Sequence, residues 1–230
     1  MARAENHLIE ILPRQDRRNL LAVCEPVELV MSAVLCEPGQ PTRHAYFPTH
    51  SFVSLLTLVD EKSTLEVGMV GREGMLGVQL ALGATITPLR GLVQGSGEAW
   101  RITADALRKQ LALSAALRRN IQLYVYVLMK QFASSAACVR FHQIDQRLAR
   151  WLLMTQDRAH ADDFHVTHEF LAFMLGVRRV GVTSAAGVLQ RRGLIEYRRG
   201  AVTVVDRSGL EAAACSCYAT DRSAYKRWLS

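Results

Sequence analysis

Residues 166–205 constrain the fold more than any other part of this sequence. Thr167 is a suitable N-cap for an amphipathic helix over residues 168–175, because its hydroxyl can accept a hydrogen bond from a first-turn N–H. Gly176 follows, and glycine readily adopts the positive φ angle that a tight turn requires. A second helix is predicted from about Arg178 to Arg191. Two short helices joined by a glycine turn are typical of a helix-turn-helix.

The chain continues as Gly193-Leu-Ile-Glu-Tyr-Arg-Arg-Gly-Ala-Val-Thr-Val-Val-Asp, which predicts two short strands around an Arg-Arg-Gly turn. A hairpin in this place forms the wing of a winged helix. The predicted buried face of the second helix consists of Val182, Ala185 or Ala186, and Leu189. A plain helical hairpin beside a β ribbon is the alternative, but it does not explain why arginines cluster at the helix ends and at the hairpin turn.

These arginines dominate the charge of the C-terminal part. The chain of 230 residues has a net charge of +7. Residues 1–138 contribute +2 and residues 139–230 contribute +5, and residues 176–200 hold six arginines against one acid, Glu196. A local basic cluster on a modestly charged chain is typical of contact with a nucleic-acid backbone. A solvated face and an anionic membrane surface are the other interpretations.

Residues 17–100 have the pattern of short strands. Apolar runs such as residues 27–31 and 51–59 alternate with turn-forming residues about every ten positions, which predicts a β sandwich or barrel. Residues 71–83 contain four glycines and interrupt this pattern, so we predict a loop with a short helix there. A hydrophobic fraction of 50% excludes a disordered chain.

Residues 103–138 lack proline and glycine and predict one long helix. Apolar residues recur along it at heptad-like spacing, and Val125, Val127 and Phe132 form a second apolar face. A helix with two apolar faces is expected to contact its own domain and a partner, although a central core helix of a monomer remains the alternative. The predicted dimer contacts are Leu117, Ile121, Tyr124, Leu128 and Ser135.

A further amphipathic helix is predicted over residues 142–156, followed by a polar loop over residues 157–165. The domain boundary is therefore predicted near residues 139–143. We assign residues 1–138 to an N-terminal domain that includes the long helix, and residues 139–230 to a winged helix-turn-helix domain.

The sequence resembles the Crp/Fnr family of bacterial transcription regulators over about residues 20–215. The resemblance is strongest in Val166-Thr-His-Glu-Phe-Leu-Ala-Phe-Met-Leu-Gly-Val-Arg-Arg-Val-Gly-Val-Thr and in the following Arg-Arg-Gly-Leu-Ile. Residues 146–153 also resemble the helix that precedes the family's motif. The resemblance implies an α+β fold: an N-terminal β jelly-roll barrel related to cyclic-nucleotide-binding domains, a long dimerisation helix and a C-terminal winged helix-turn-helix. It further implies a homodimer on a palindromic operator in double-stranded DNA, with RNA polymerase as a candidate partner.

The second helix of the motif, which the resemblance makes the recognition helix, differs in sequence from that of the family. Members often place Arg, Glu and Arg where this chain has Arg179, Val180 and Ser184, so its operator is expected to differ. Arg178 and Arg179 suit guanine, and Val180 suits a thymine methyl group. The predicted DNA-binding residues are Thr167, His168, Arg178, Arg179, Val180, Thr183, Ser184, Arg191, Arg192, Arg198 and Arg199, of which the last four suit phosphates.

The barrel departs further. Cyclic-nucleotide binders of the family use a Gly-Glu pair for the ribose and an Arg-Ser pair for the phosphate, whereas here Glu73 lies several residues early and no Arg-Ser pair follows. Glu73 and Arg90 are the candidates for effector binding, and a salt-bridging Arg90 on a barrel that has lost its ligand is the alternative. Cyclic AMP is not expected, no cofactor is predicted, and the effector is unknown. A barrel that serves only as a dimer platform is the alternative function.

The cysteines and histidines predict no metal site and no enzyme. Five cysteines at irregular spacing without a CxxC pair argue against a disulfide framework, a four-cysteine zinc site and an iron–sulfur cluster. Cys215 and Cys217 could bind metal or respond to oxidation, but such a pair is more often two small residues on a helix. His44 and His50 could ligate haem, but neither is distinctive, and without a His-x-His pair a cupin-like barrel enzyme is not supported.

The sequence contains no uncharged apolar run of about 18 residues. The start of the chain also lacks an apolar stretch behind a basic one. We therefore expect neither a transmembrane helix nor a signal peptide, and we predict a cytoplasmic protein without a membrane partner.

Overall fold

The structure, a computed structural model, describes residues 5–59, 64–159 and 161–229. The chain divides into two compact units. The first unit comprises the described parts of residues 1–55, 68–130 and 224–230, and the second those of residues 56–67 and 131–223. The predicted domain boundary after residue 138 falls inside a helix.

In the N-terminal half, the described residues form two short α-helices and seven strands, and the strands make two sheets. Strand β7 pairs antiparallel with β1 and β3, and the second sheet has the order β2-β6-β4-β5. Phe47, Met69 and Ile102 are at most 1% exposed and form part of the core. This arrangement confirms the predicted barrel of short strands. The elements are α1 (His7–Glu10), α2 (Arg14–Leu21), β1 (Glu25–Leu29), β2 (Val34–Cys36), β3 (His44–Pro48), β4 (Phe52–Leu58), β5 (Thr64–Val70), β6 (Arg90–Gly95) and β7 (Gly97–Thr103).

The glycine-rich stretch between β5 and β6 has the predicted form of a loop with a short helix. A 3-10 helix spans Val78–Leu82. Gly77 and Gly83 flank it with φ angles of 89° and 82°, a region that glycine adopts at little energetic cost.

The predicted single long helix is two helices, α3 (Ala104–Leu113) and α4 (Ala115–Phe141). Ser114 separates them with an extended backbone. Its hydroxyl accepts a hydrogen bond from the N–H of Leu117 at 3.0 Å, as an N-cap side chain does. The prediction of an unbroken helix was wrong because serine can cap a new helix without any proline or glycine to mark the break.

The heptad-like seam of α4 faces the interior of its own chain. The five predicted dimer contacts are at most 4% exposed. A Cβ placed on Gly74 would lie 2.2 Å from the hydroxyl oxygen of Tyr124, which shows how closely the tyrosine packs on that loop. A side chain already buried in one protomer has no surface left for a partner, so their assignment as dimer contacts is corrected. These residues are Leu117, Ile121, Tyr124, Leu128 and Ser135.

The C-terminal half consists of helices around a small sheet with the order β8-β10-β9. The prediction of a loop over residues 157–165 was wrong in part, since α5 continues to Ala159 and residues 163–165 form a strand. The pairing of β8 with β10 supplies that strand, because the local sequence has no strand pattern. The elements are α5 (Ile144–Ala159), β8 (Asp163–His165), α6 (His168–Leu175), α7 (Arg179–Arg191), β9 (Ile195–Arg198), β10 (Ala201–Val204), α8 (Arg207–Ala213) and α9 (Ser216–Trp228).

Among the residues that the structure describes, no single helix has both the length and the hydropathy of a membrane span. The pair α6 and α7 meets the composition test only when the two are joined across their bend of 106°.

Candidate nucleic-acid interface

Helix α6 begins and ends as the sequence predicts. The hydroxyl of Thr167 accepts a hydrogen bond from the backbone N–H of Phe170 at 3.2 Å. The helix ends at Gly176, whose φ of 61° is left-handed, and the N–H of Val177 donates to the carbonyl of Ala172 at 3.0 Å. These contacts terminate α6 and turn the chain into α7, which is the geometry of a helix-turn-helix.

Helix α7 has one buried and one exposed face. Val182, Ala185, Ala186 and Leu189 are at most 3% exposed and form the predicted buried face. Val180 is 79% exposed, so its methyl groups are available to a binding partner. The exposed predicted residues on and beside α7 are Arg178, Arg179, Val180, Thr183, Ser184, Arg191 and Arg192.

Gly187 lies on the exposed side of α7 between Ser184 and Arg191, one helical turn from each. A Cβ there would lie 3.3 Å from Nη1 of Arg191. Without a side chain, this part of the helix backbone can approach another surface closely. The sequence carries one signal for this position, since glycine inside a helix costs about 1 kcal/mol relative to alanine.

His168 has a packing role, which differs from its predicted DNA contact. Its ring stacks on Tyr197 with centroids 4.4 Å apart, and its Nδ1 lies 3.0 Å from the hydroxyl oxygen of Thr183. That hydroxyl donates to the carbonyl of Arg179 at 3.1 Å, so it accepts from the Nδ1–H group of His168. Burial, assisted by the charge of Arg179, lowers the pKa of His168 and favours its neutral form. His168 therefore fixes α7 and β9 against α6.

Strands β9 and β10 form the predicted wing. Arg199 and Gly200 connect them with φ angles of 51° and 85°. Positive φ at both central residues is the property of a type I′ turn, which matches the twist of the flanking strands. Arg198 and Arg199 are exposed at this turn.

Tyr197 of β9 was missed by sequence reasoning because only the fold brings its partner close. Its hydroxyl donates to the carbonyl of Val166 at 2.5 Å, and burial raises its pKa. The hydrogen bond ties the wing to the residue before the Thr167 cap.

Replacing Gly200 by alanine is expected to destabilise the domain by about 1–2 kcal/mol, because a side chain disfavours positive φ by this amount. A further loss is expected from contact, since the added Cβ would lie 2.9 Å from Nε2 of His165. Gly193→Ala is the matched control: its φ is 70°, and no heavy atom of the described chain lies within 4 Å of a Cβ placed there. Urea denaturation compares the two free energies of unfolding. Equal losses would show that the His165 contact has no energetic effect.

Two arginines of α5 form contacts within the C-terminal part of the chain. Arg147 donates to the carbonyl of Leu175, the last residue of α6, and burial lowers its pKa. Arg150 pairs with Asp221 of α9 at 2.8 Å. Both belong to residues 146–153, which resemble the helix before the family's motif. Their role is to hold α6 and α9 on α5, so the basic surface comes from the other arginines.

The end of the β4–β5 hairpin belongs to the same compact unit as the helix-turn-helix. A Cβ placed on Gly176 would lie 3.0 Å from Cδ1 of Leu65. Thr64 and Arg178 line one cleft beside this contact. Leu65 of β5 therefore packs on the turn that precedes α7.

The two effector candidates have partners within the barrel. Nε of Arg90 lies 2.9 Å from Oε2 of Glu37, and both side chains are 31% exposed. Glu73 accepts a hydrogen bond from the N–H of Gly71 at 3.1 Å. These contacts favour the alternative interpretation of Arg90 as a salt-bridging residue.

Neither histidine of the barrel is set in a metal-binding arrangement. Nε2 of His50 lies 2.8 Å from Oε2 of Glu5, on a side chain that is 58% exposed. The ring of His44 lies 6.3 Å from that of Tyr46, centroid to centroid. These contacts give no support to haem ligation or to cupin-type chemistry at these two residues.

The helix pair, glycine turn and hairpin define a winged helix-turn-helix, a class of DNA-binding domain. Residues 146–213 match the family described as the Crp-like helix-turn-helix domain, which confirms the resemblance for this part of the chain. A comparison with curated proteins found no match.

The fold is similar to several solved structures. A Crp/Fnr-family putative transcriptional regulator from Eubacterium rectale has 16% identity over 88% of this chain and 94% of its own, with a TM-score of 0.70. FixK2 from Bradyrhizobium japonicum has 13% identity over 84% and 98%, with a TM-score of 0.71. The c-di-GMP responsive regulator CLP from Xanthomonas campestris has 19% identity over 84% and 99%, with a TM-score of 0.68. The chain thus carries a Crp-like helix-turn-helix domain, and its fold is similar to the folds of these solved structures.

Proposed function

We propose that this protein is a sequence-specific transcription regulator that acts as a cytoplasmic homodimer on a palindromic operator. One observation carries the proposal: exposed arginine pairs occupy the start of α7, its end and the tip of the wing. In a winged helix these three places face the duplex. The pairs are Arg178 with Arg179, Arg191 with Arg192, and Arg198 with Arg199.

The residues on and beside α7 suit different chemical groups of DNA. Arg179 suits bidentate contact with O6 and N7 of guanine, and exposed Val180 suits a thymine methyl group. Arg178 at the N-cap position forms no side-chain cap, so the first N–H groups of α7 remain available to a phosphate. The arginines at the helix end and the wing contact phosphates, which position the domain without reading sequence.

The dimer forms through the outer face of α4. Tyr126 and Met129 are 48% and 62% exposed. They belong to a stripe of exposed residues along α4, in which small residues follow toward the C-terminus. The spacing alternates four and three residues, as in a two-helix seam. A two-fold dimer is expected to bind half-sites about one helical turn apart on DNA. The stripe consists of Gln122, Tyr126, Met129, Ala133, Ala136 and Arg140.

Cyclic AMP is not required for DNA binding in this proposal. The ion pair of Arg90 with Glu37 supports this, because a phosphate would have to displace the carboxylate. A different ligand of the barrel remains a candidate effector. The response of CLP to c-di-GMP makes that dinucleotide the first ligand to test. RNA polymerase remains a candidate partner.

The test is a selection of bound fragments from a random DNA pool with the full chain, run without ligand, with cyclic AMP and with c-di-GMP. We expect a palindromic motif without ligand, with half-sites about 10–10.5 base pairs apart. A motif found only with cyclic AMP would overturn the effector assignment. A single unpaired site would overturn the dimer, and no enrichment in any arm would overturn ligand-independent DNA recognition.

Met129→Glu is expected to convert the dimer to a monomer and to abolish stable operator binding, because two-fold symmetry places like charges together at the seam. Sedimentation equilibrium measures the mass and fluorescence anisotropy the affinity. Met31→Glu adds the same charge at a methionine that is 51% exposed between β1 and β2, and it should leave both unchanged. If Met129→Glu remains a dimer, the interface lies elsewhere.

A further inference from the structure

Three cysteines and one histidine of the second unit meet at one point. The three Sγ atoms and a ring nitrogen of the histidine all lie within 4.8 Å of one another. Sγ of Cys138 lies 3.5 Å from Sγ of Cys215, and Sγ of Cys217 lies 3.7 Å from Nδ1 of His142. The cysteines are at most 7% exposed, whereas His142 is half-buried. The cluster thus consists of three buried sulfur atoms and one imidazole near the surface.

Two helix ends build this cluster. The N–H of His142 donates to the carbonyl of Cys138 at 3.1 Å, so the two side chains lie one helical turn apart on one face. Cys215 and Cys217 flank Ser216, the first residue of α9. Cys138 and Cys215 are 77 residues apart in sequence. No local spacing links the two pairs, which is why the sequence predicted no metal site.

We propose that Cys138, His142, Cys215 and Cys217 bind one zinc ion. Three thiolates and one imidazole are a common tetrahedral ligand set for structural zinc. With Zn–S near 2.3 Å and Zn–N near 2.0 Å, a tetrahedron places two sulfurs about 3.8 Å apart and a sulfur and nitrogen about 3.5 Å apart. The Cys138–Cys215 and Cys217–His142 separations of 3.5 and 3.7 Å lie within about 0.3 Å of these values. All four ligand atoms lie within 4.8 Å of one another, so side-chain rotations would complete the site.

Two other interpretations explain less of the cluster. Buried thiols can pack as small apolar groups, but such packing gives no reason for an imidazole nitrogen directed at Cys217. A disulfide between Cys138 and Cys215 would leave Cys217 and His142 unused. A zinc ion uses all four.

Bound zinc would join the end of α4 to the start of α9. Neither end contributes a predicted DNA contact, so the ion stabilises the unit and leaves base recognition to α7. The site is independent of the proposed function, since zinc content and DNA selection are separate measurements and either can fail alone.

The experiment measures metal in the full chain purified without chelators from zinc-supplemented medium. We expect about one zinc per protomer by mass spectrometry. Exchange with Co²⁺ should produce the visible bands of tetrahedral cobalt and a sulfur-to-cobalt charge-transfer band. Removal of zinc with a chelator should lower Tm by about 5 °C or more, because metal binding contributes to folding.

The Cys215→Ser/Cys217→Ser double variant should lose the zinc and the cobalt spectrum. Cys24→Ser/Cys36→Ser is the matched control, since it removes the two cysteines outside the cluster, and it should retain both signals. The cobalt spectrum of the unmodified chain tests the site even if the first variant does not fold. Substoichiometric zinc with no tetrahedral cobalt spectrum, or a Cys138–Cys215 disulfide in the purified protein, would overturn the proposal.

Discussion

Replacing Asp221 by alanine is expected to destabilise the protein by about 3–5 kcal/mol, because it leaves a buried arginine without its counter-charge. Nη2 of Arg150 lies 2.8 Å from Oδ2 of Asp221, and the two side chains are 11% and 6% exposed. The only other hydrogen bond that the described structure shows for this guanidinium is to the hydroxyl of Ser135 at 3.3 Å, which carries no charge. Urea denaturation followed by circular dichroism measures the free energy of unfolding.

Two further variants separate the buried charge from a general effect of losing an aspartate. Asp105→Ala removes the carboxylate of the exposed Arg108 pair, whose aspartate is 79% exposed, and it should leave stability unchanged, because exposed pairs contribute little. Arg150→Met with Asp221→Leu removes both buried charges and should recover most of the loss. If Asp221→Ala is as stable as Asp105→Ala, the pair is solvated in solution and our account of α9 is wrong.

Replacing Arg179 by alanine is expected to weaken specific DNA binding by about 1–3 kcal/mol per half-site, which is roughly 5- to 150-fold. The residue is the first of α7 and is exposed, so truncation should leave the fold intact. Discrimination at one base-pair position should relax, while affinity for unrelated DNA changes little. Anisotropy titrations on the selected operator, a single-base variant of it and random DNA measure all three quantities.

Arg191→Ala provides the contrast, since a phosphate contact should be lost equally on all sequences and should reduce the salt slope by about one. Arg43→Ala removes an exposed arginine of the barrel and should change neither affinity nor specificity. If Arg179→Ala and Arg191→Ala behave alike, the residue that reads the bases is not Arg179 and the assignment along α7 must shift.

The strand-rich half and the helix-turn-helix could be predicted from local sequence because each depends on short-range rules. The cap at Thr167, the left-handed Gly176 and the apolar spacing from Val182 to Leu189 all act within a few residues. The break at Ser114 was equally local, but a serine cap inside an apolar pattern is weaker evidence than a proline or glycine.

The outer face of α4 could not be distinguished from the inner one by spacing alone. Two stripes of similar period run along the helix, and burial against the chain's own residues determines which remains for a partner. Tyr124 is completely buried and Tyr126 is half exposed, although they differ by only two positions and share the same chemistry. The stronger apolar stripe was the core, because a domain covers its most apolar face first.

The amino-acid sequence by itself determined the class of the C-terminal domain, the cluster of arginines and the positions of the turns, since backbone geometry, capping and charge are local properties. The tertiary structure decided which groups meet across long separations. The ring of His168, which was predicted to contact DNA, packs on Tyr197, and Arg90 pairs with Glu37. The Sγ atoms of Cys138 and Cys215 lie 3.5 Å apart. Such contacts depend on how helices and strands pack, and no local spacing in the chain encodes them.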